Sequence, residues 1–170
     1  MVFEKVSALK GAFVKDGTVT AANSSTISDG AALSILASKD ALERYNLKPL
    51  ARLVAYSTNS IAPQQFPEAP VGAIEKVVKK ANLSLSDIDL FEINEAFAVV
   101  VLIAIKQLGL DINKVNVNGG AVSIGHPIGA SGGRLVATLT KQMKRQNAKY
   151  GLATLCIGGG EAVAAIFENI

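Results

Sequence analysis

The chain has 170 residues, 49% of them hydrophobic, a net charge of +3 and a single cysteine. That length buries one sizeable core and leaves little room for two; one cysteine excludes an internal disulfide and fits a reducing interior; a modest charge with no aromatic platform argues against nucleic acid as a partner. The longest apolar run, 96–105, is too short to span a bilayer, and the opening MVFEKVSALKG lacks the apolar region of a secretory signal, so the expectation is a soluble, cytoplasmic protein with no membrane partner.

Residues 1–20 read as an extended lead-in with a turn at Asp16-Gly17, and TAANSSTISDG after it is a loop by composition. AALSILAS, 31–38, has the length and apolarity of a strand, and KDALERYN is a short helix closed before Pro49. ARLVAYSTNS is a second strand, followed by the proline-rich loop APQQFPEAP. VGAIEKVVKKANL is an amphipathic helix with Val71, Ile74, Val77 and Val78 on one face.

The strand DLFEI leads to Asn94-Glu95, which opens the helix EAFAVVVLIAIKQLG, ended by Gly109. That helix is apolar nearly all round and is expected to be buried on more than one side. A strand KVNVN precedes a glycine-dense loop and the helical pattern RLVATLTKQMKRQ. The chain closes with two apolar runs hinged at Gly158-Gly159-Gly160, a β-hairpin whose first strand ends at Cys156. The expected fold class is α/β: a mostly parallel mixed sheet with helices on its faces and a C-terminal antiparallel hairpin.

The stretch NVNGGAVSIGHPIGASGGR, 116–134, holds the only histidine, His126, among clustered glycines and a proline. Such density trades backbone entropy for close approach of other atoms, which marks a site more than a packing unit. The loop ends at a helix N-terminus, where free N–H groups favour developing negative charge. In mostly parallel sheets the chemistry collects beyond the strands' C-terminal ends. Asn94, His126 and Cys156 each follow an apolar run, so an amide, an imidazole and a thiol are expected to converge there. Each also has a plainer role: helix N-cap for Asn94, local backbone partner for His126, small buried hydrophobe for Cys156. No acidic residue lies between Asp111 and Glu161, while Lys114, Arg134, Lys141, Lys144, Arg145 and Lys149 are basic. These either complement a helix dipole or face an anionic ligand.

Asn94-Glu95-Ala96-Phe97-Ala98, the 116–134 stretch and Cys156-Ile157-Gly158-Gly159-Gly160 resemble the three C-terminal signatures of the thiolases, in wording close to the acetyl-CoA acetyltransferases. GTVTAANSSTISDGAA resembles the segment where the thiolase loop domain returns to the N-terminal domain, and the resemblance runs from about Phe13 onward. It implies three regions: 1–27 as the tail of the loop domain, 28–48 as the last strand and helix of the N-terminal domain, and 49–170 as the C-terminal domain. Orphaned from that parent sheet, 31–38 would add to a sheet edge or drive self-association.

The implied reaction condenses two acetyl-CoA to acetoacetyl-CoA, or reverses it by thiolysis, through an acyl-cysteine. By the motifs, Cys156 would be the acid/base, helped toward thiolate by the glycine turn. His126 and a water held by Asn94 would form one oxyanion hole and the Gly158 N–H would serve a second. Phe13, Ala21, Ser24, Ser25 and Ile27 would lie along coenzyme A, with Phe97 beside the thioester. No metal and no cofactor is implied, coenzyme A being a substrate.

The chain lacks the segment like VCxSG that carries the nucleophilic cysteine in the N-terminal thiolase half. Alone it is therefore expected to be inactive, with that missing half as a partner and a homo-oligomer as the full enzyme. The alternatives are a non-catalytic coenzyme A-binding or subunit-assembly half-thiolase, and the same portion of a 3-oxoacyl-CoA thiolase. A dinucleotide-binding domain fits poorly, because the glycine spacing is not G-x-G-x-x-G and no acidic residue follows until Glu161.

Overall fold

The computed structural model describes residues 2–170; Met1, the start of the expected lead-in, lies outside the described residues. Four strands, β1 Ala51–Ser60, β2 Leu90–Ile93, β3 Tyr150–Ile157 and β4 Glu161–Asn169, form one sheet in the order β1-β4-β3-β2. β2 pairs with β3 in parallel, and β4 is antiparallel to both β3 and β1. Three strands thus run one way and β4 alone returns, which is the mostly parallel sheet with a closing hairpin expected from the sequence.

Among the described residues the α-helices are α1 Lys39–Arg44, α2 Ala69–Lys80, α3 Ala98–Leu108, α4 Ala121–Ile124 and α5 Ser131–Gln146. Because side chains alternate across a strand, neighbouring residues feed different layers. Phe91, Ile93, Leu152, Cys156 and Ile166 meet Ile74 and Val77 of α2 and Val100 of α3 in one apolar cluster. Leu90 and Ala153 meet Leu135, Leu139 and Met143 of α5 in another. Gly151 is the contact that lets α5 lie close: a Cβ there would meet Met143 Sδ at 2.5 Å and Leu139 Cδ1 at 2.8 Å. The expected face of α2 is buried as read, with Val71, Ile74, Val77 and Val78 all inward. Among the described residues, no helix is long and apolar enough to cross a membrane.

Several expectations are corrected. Residues 31–38 form no strand; Leu33, Ile35 and Leu36 are 86%, 82% and 79% exposed, because no ladder partner meets them among the described residues. The lead-in and the proline loop are partly 3₁₀-helical, over Phe3–Ala8 and Pro63–Glu68; the second runs straight into α2. α3 begins at Ala98, not at Asn94-Glu95, because 94–97 is held outside the helix by distant partners: Asn94 N–H donates to Thr154 C=O (3.0 Å), and Ser24 bridges Phe97 antiparallel. Its N-cap is Phe97, so the N-cap role for Asn94 falls away. The same helix buries only Val100, Val101 and Ala104, leaving Leu102 57% exposed, since no layer covers its outer side among the described residues.

KVNVN is likewise not a strand. One parallel bridge joins Val115 to Phe91, and the backbone then turns away at Asn116, whose φ is +47°. The Asn116 carboxamide takes over the ladder. Its Oδ1 accepts from Ile93 N–H at 2.8 Å and its Nδ2 donates to Ile93 C=O at 2.8 Å. A side chain that mimics a peptide at the sheet edge frees the main chain to enter the glycine loop.

Candidate active site

The end of β2 and the glycine loop are tied together by side chains. Glu95 accepts from Asn116 Nδ2 at 3.0 Å and from the Val122 N–H at 3.0 Å. It lies so close over Gly120 that no side chain fits there. Gly125, at φ +94°, turns the chain into His126 with Ser28 packed against its α-carbon, a conformation and a contact that exclude larger residues. From the other side, residues 23–27 lie as an extended strap across both loops. Ser25 N–H donates to Ala96 C=O at 3.1 Å, Ala98 N–H to Asn23 C=O at 2.9 Å, and His126 N–H to Thr26 C=O at 3.0 Å.

Asn94 is fully buried. Its Nδ2 lies 3.2 Å from His126 Nε2, and its Oδ1 accepts from Arg134 Nη2 at 3.2 Å. His126 Nδ1 lies 2.5 Å from the Oγ of buried Ser131, which donates to Pro127 C=O at 3.1 Å. Arg134 Nη1 pairs with Glu92 Oε2 at 3.5 Å, and that oxygen has no hydrogen bond. Beside this network Gly129 and Gly132 have open space within 4 Å of where a side chain would start.

Burial, opposed by Arg134 and reinforced by Glu95, raises the Glu92 carboxyl from 4.5 to about 7. Burial and the Arg134 charge lower His126, which keeps the imidazole neutral. Burial raises Cys156 above the usual thiol value; the glycine turn's expected pull toward thiolate is outweighed here by desolvation. The Glu92 shift carries a stability consequence. The folded state holds its proton more tightly than the unfolded chain, so the contribution is full below about pH 4.5 and is lost as pH rises through about 7, on the order of 3 kcal/mol in all. Urea unfolding of the chain and of Glu92→Gln across that range should show the difference between them closing on one side; a pH-independent difference would contradict it.

Of the residues singled out from sequence, the structure joins Asn94 to His126, Ile27 to His126 by a parallel bridge, Ser24 to Phe97, and Ser25 to Ala96. Phe13 meets Phe97 edge-on, ring centroids 5.7 Å apart. Ser24 Oγ itself turns back to Thr20 C=O, and Ile27's side chain is fully exposed. Ala21 lies apart, in a shallow cavity of about 330 Å³ with Val6, Leu9 and Ala22. Cys156 is buried in the apolar cluster against which Phe97 packs, and it makes no side-chain hydrogen bond to Asn94 or His126. Gly158 sits in the exposed hairpin turn, open on the side where a Cβ would point.

Sequence reading missed Glu92, Glu95, Asn116, Ser131 and Arg134 as parts of the site. Glu92 offered a signal, since a carboxylate inside an apolar strand run needs a buried partner. Among the described residues, no group of three or more His, Cys, Asp or Glu could hold a metal ion.

A mixed sheet whose strand end carries a buried amide against a half-buried imidazole, strapped by the preceding segment, defines an α/β enzyme-type site. The family "Thiolase, C-terminal domain" matches residues 47–169, and "Thiolase, N-terminal domain" matches residues 1–40. The chain is 51% identical over 170 residues to the "Probable acetyl-CoA acetyltransferase" of Dictyostelium discoideum, covering 100% of this chain and 41% of that protein. It superposes on the crystal structure of the Bacillus anthracis acetyl-CoA acetyltransferase with a TM-score of 0.95 at 46% identity, covering 98% of this chain and 42% of that one. It superposes on human mitochondrial 3-ketoacyl-CoA thiolase in complex with CoA with a TM-score of 0.92 at 41% identity, covering 100% and 43%. This chain belongs to the thiolase family. It spans about two fifths of the length of these relatives.

Proposed function

We propose that this chain supplies the C-terminal part of an acyltransferase site that condenses two acetyl-CoA to acetoacetyl-CoA and runs the reverse thiolysis. The observation that carries the reading is the contact between buried Asn94 and half-buried His126, with the Arg134 guanidinium on the far side of the Asn94 carboxamide. The division into 1–27, 28–48 and 49–170 belongs to the same proposal. The nucleophilic cysteine belongs to the remaining three fifths of the parent fold. The exposed apolar run at Leu33, Ile35 and Leu36 supports a surface that this larger fold would cover.

In the proposed reaction the nucleophilic thiol passes its proton to His126 Nε2 and attacks the first thioester carbonyl; coenzyme A leaves as the thiolate and takes a proton from solvent, so Nε2 keeps the proton it received. Cys156, having given its own proton to solvent, takes one as thiolate from the methyl group of the second acetyl-CoA. The enolate oxygen that develops is stabilised by His126 and by a water on Asn94. The enolate carbon attacks the acyl-cysteine, the tetrahedral oxyanion is met by the Gly158 N–H, and collapse releases acetoacetyl-CoA and the nucleophilic thiolate, which recovers its proton from His126. Phe13, Ala21, Ser24, Ser25, Ile27 and Phe97 would line coenzyme A, with the Phe13–Phe97 contact beside the thioester. A second reading, thiolysis of longer 3-oxoacyl-CoA, draws support from the human relative's name and its TM-score of 0.92.

The test follows acetoacetyl-CoA cleavage by the 170-residue chain alone, and by the chain joined behind the N-terminal portion of the Dictyostelium relative. The expected result is no turnover alone and turnover in the joined protein, faster with acetoacetyl-CoA than with longer substrates. Turnover by the purified chain alone, lost on Cys156→Ala, would defeat the claim that its nucleophile lies elsewhere. A folded but inactive joined protein would defeat the acyltransferase reading, and a preference for long substrates would select the second one.

A further inference from the structure

The hydrogen bonds around His126 form a chain with one end that has no choice of direction. At one end stands Arg134, whose guanidinium can only donate. Its Nη2 meets Asn94 Oδ1 at 3.2 Å, while Nη1 is held by the buried Glu92 carboxyl. The Asn94 carboxamide must therefore present oxygen to Arg134 and its NH₂ group to His126 Nε2; the flipped amide would set two donors face to face. At the other end stands the Pro127 carbonyl, which can only accept. That carbonyl already accepts from the Ala130 and Ser131 N–H groups at 2.8 and 2.9 Å, so the Ser131 hydroxyl, 3.1 Å from it and 2.5 Å from His126 Nδ1, can give or take a hydrogen bond at the ring. The direction is therefore imposed from the Arg134 end, and Ser131 accommodates it.

We propose that Arg134, paired at 3.5 Å with Glu92, is a positioning residue that fixes the Asn94 amide and through it holds His126 in the Nδ1–H tautomer. Nε2, the nitrogen beside Asn94, is then left with its lone pair, so His126 is set to receive a proton and becomes a donor at Nε2 only after receiving one. Burial and the Arg134 charge, which keep the ring neutral, support the same state. The inference deepens the acyltransferase reading and rests on taking Asn94 and His126 as its working pair, but its readout is a tautomer and not turnover.

His126 is the only histidine in the chain, so the ring needs no assignment. A long-range proton–nitrogen correlation spectrum of the ¹⁵N-labelled chain near neutral pH should show Nδ1 protonated and Nε2 bare, the Nδ1–H form in roughly tenfold excess or more. In Arg134→Met the amide is free to flip and the Nε2–H form should rise to a comparable or larger share; Arg134→Lys, still a pure donor, should restore the Nδ1–H form. Asn94→Asp, which offers Nε2 only acceptors, should make Nε2–H predominant. Where Arg134→Met does not fold, Arg134→Gln carries the same expectation, because its amide presents either an oxygen or a nitrogen and so imposes no direction. A predominant Nε2–H form in the unmodified chain overturns the proposal without any variant. A folded Arg134→Met or Arg134→Gln that keeps the Nδ1–H form overturns the part assigned to Arg134. Neither outcome alters the acyl-transfer assay, and loss of acyl transfer alters neither, so the two failures are told apart.

Discussion

Asn116→Ala should lower the unfolding free energy of this chain by about 3–5 kcal/mol, a large part of what a domain this size possesses. In the parallel ladder Asn94 N–H turns toward β3, while the Phe91 C=O and both polar groups of Ile93 turn to the other side. There Asn116 supplies its own N–H to Phe91 C=O and its carboxamide to Ile93. Removing the carboxamide leaves the N–H and C=O of the fully buried Ile93 unpaired, at about 1–3 kcal/mol each. Alanine also tolerates the left-handed backbone at φ +47° poorly, at roughly 1 kcal/mol more. Asn116→Gly isolates the hydrogen-bond part, because glycine accepts that backbone. Urea unfolding should rank the native chain above Asn116→Gly and Asn116→Gly at or above Asn116→Ala. An alanine variant within about 0.5 kcal/mol of the native chain, the range of ordinary surface substitutions, would show that water replaces the carboxamide.

In the joined protein, Cys156→Ala should cut the condensation rate by roughly 10²–10⁴-fold, the span typical of a lost general acid or base. The first half-reaction does not use Cys156 as proposed, so acylation of the nucleophilic cysteine by acetyl-CoA should survive. A single burst of released coenzyme A would then persist without turnover. Because burial raises the Cys156 thiol, its thiolate fraction grows as pH rises, so the native rate should climb toward alkaline pH. That limb should vanish in the variant's residual rate. A condensation rate within a few-fold of native, or loss of the burst together with turnover, would remove Cys156 from the acid/base role.

Much of the architecture was legible in the residues because it rests on period. The 3.6-residue spacing of Val71, Ile74, Val77 and Val78 requires a buried face wherever the helix lies, and the two apolar runs about Gly158-Gly159-Gly160 require a hairpin. The misreadings share a cause. AALSILAS and KVNVN carry strand composition, yet a strand exists only where a second backbone offers its N–H and C=O groups. No ladder partner meets the first, and Asn116 turns the second away from β2. The early start expected for α3 failed similarly, because Asn23, Ser24 and Ser25 meet residues 96–98 from about seventy positions away.

The site divides in the same way. Asn94, His126, Cys156 and the glycines were visible by kind and by position next to strand runs, since a lone imidazole among glycines or a lone thiol at a strand end is unusual chemistry within the sequence itself. Sequence by itself thus determined the α/β class and the thiolase resemblance, and it singled out the candidate residues. Only the tertiary structure decided that Glu92, Asn116, Ser131 and Arg134 surround them, that Cys156 lies in the apolar layer without a hydrogen bond to Asn94 or His126, and which way the Arg134–Asn94–His126 hydrogen bonds run. The physical reason is that hydrogen bonds and buried charge are set by atoms within a few ångströms in space. Local periodicity places a residue on a face, but the partner across that face comes from 23 to 40 residues away in the chain.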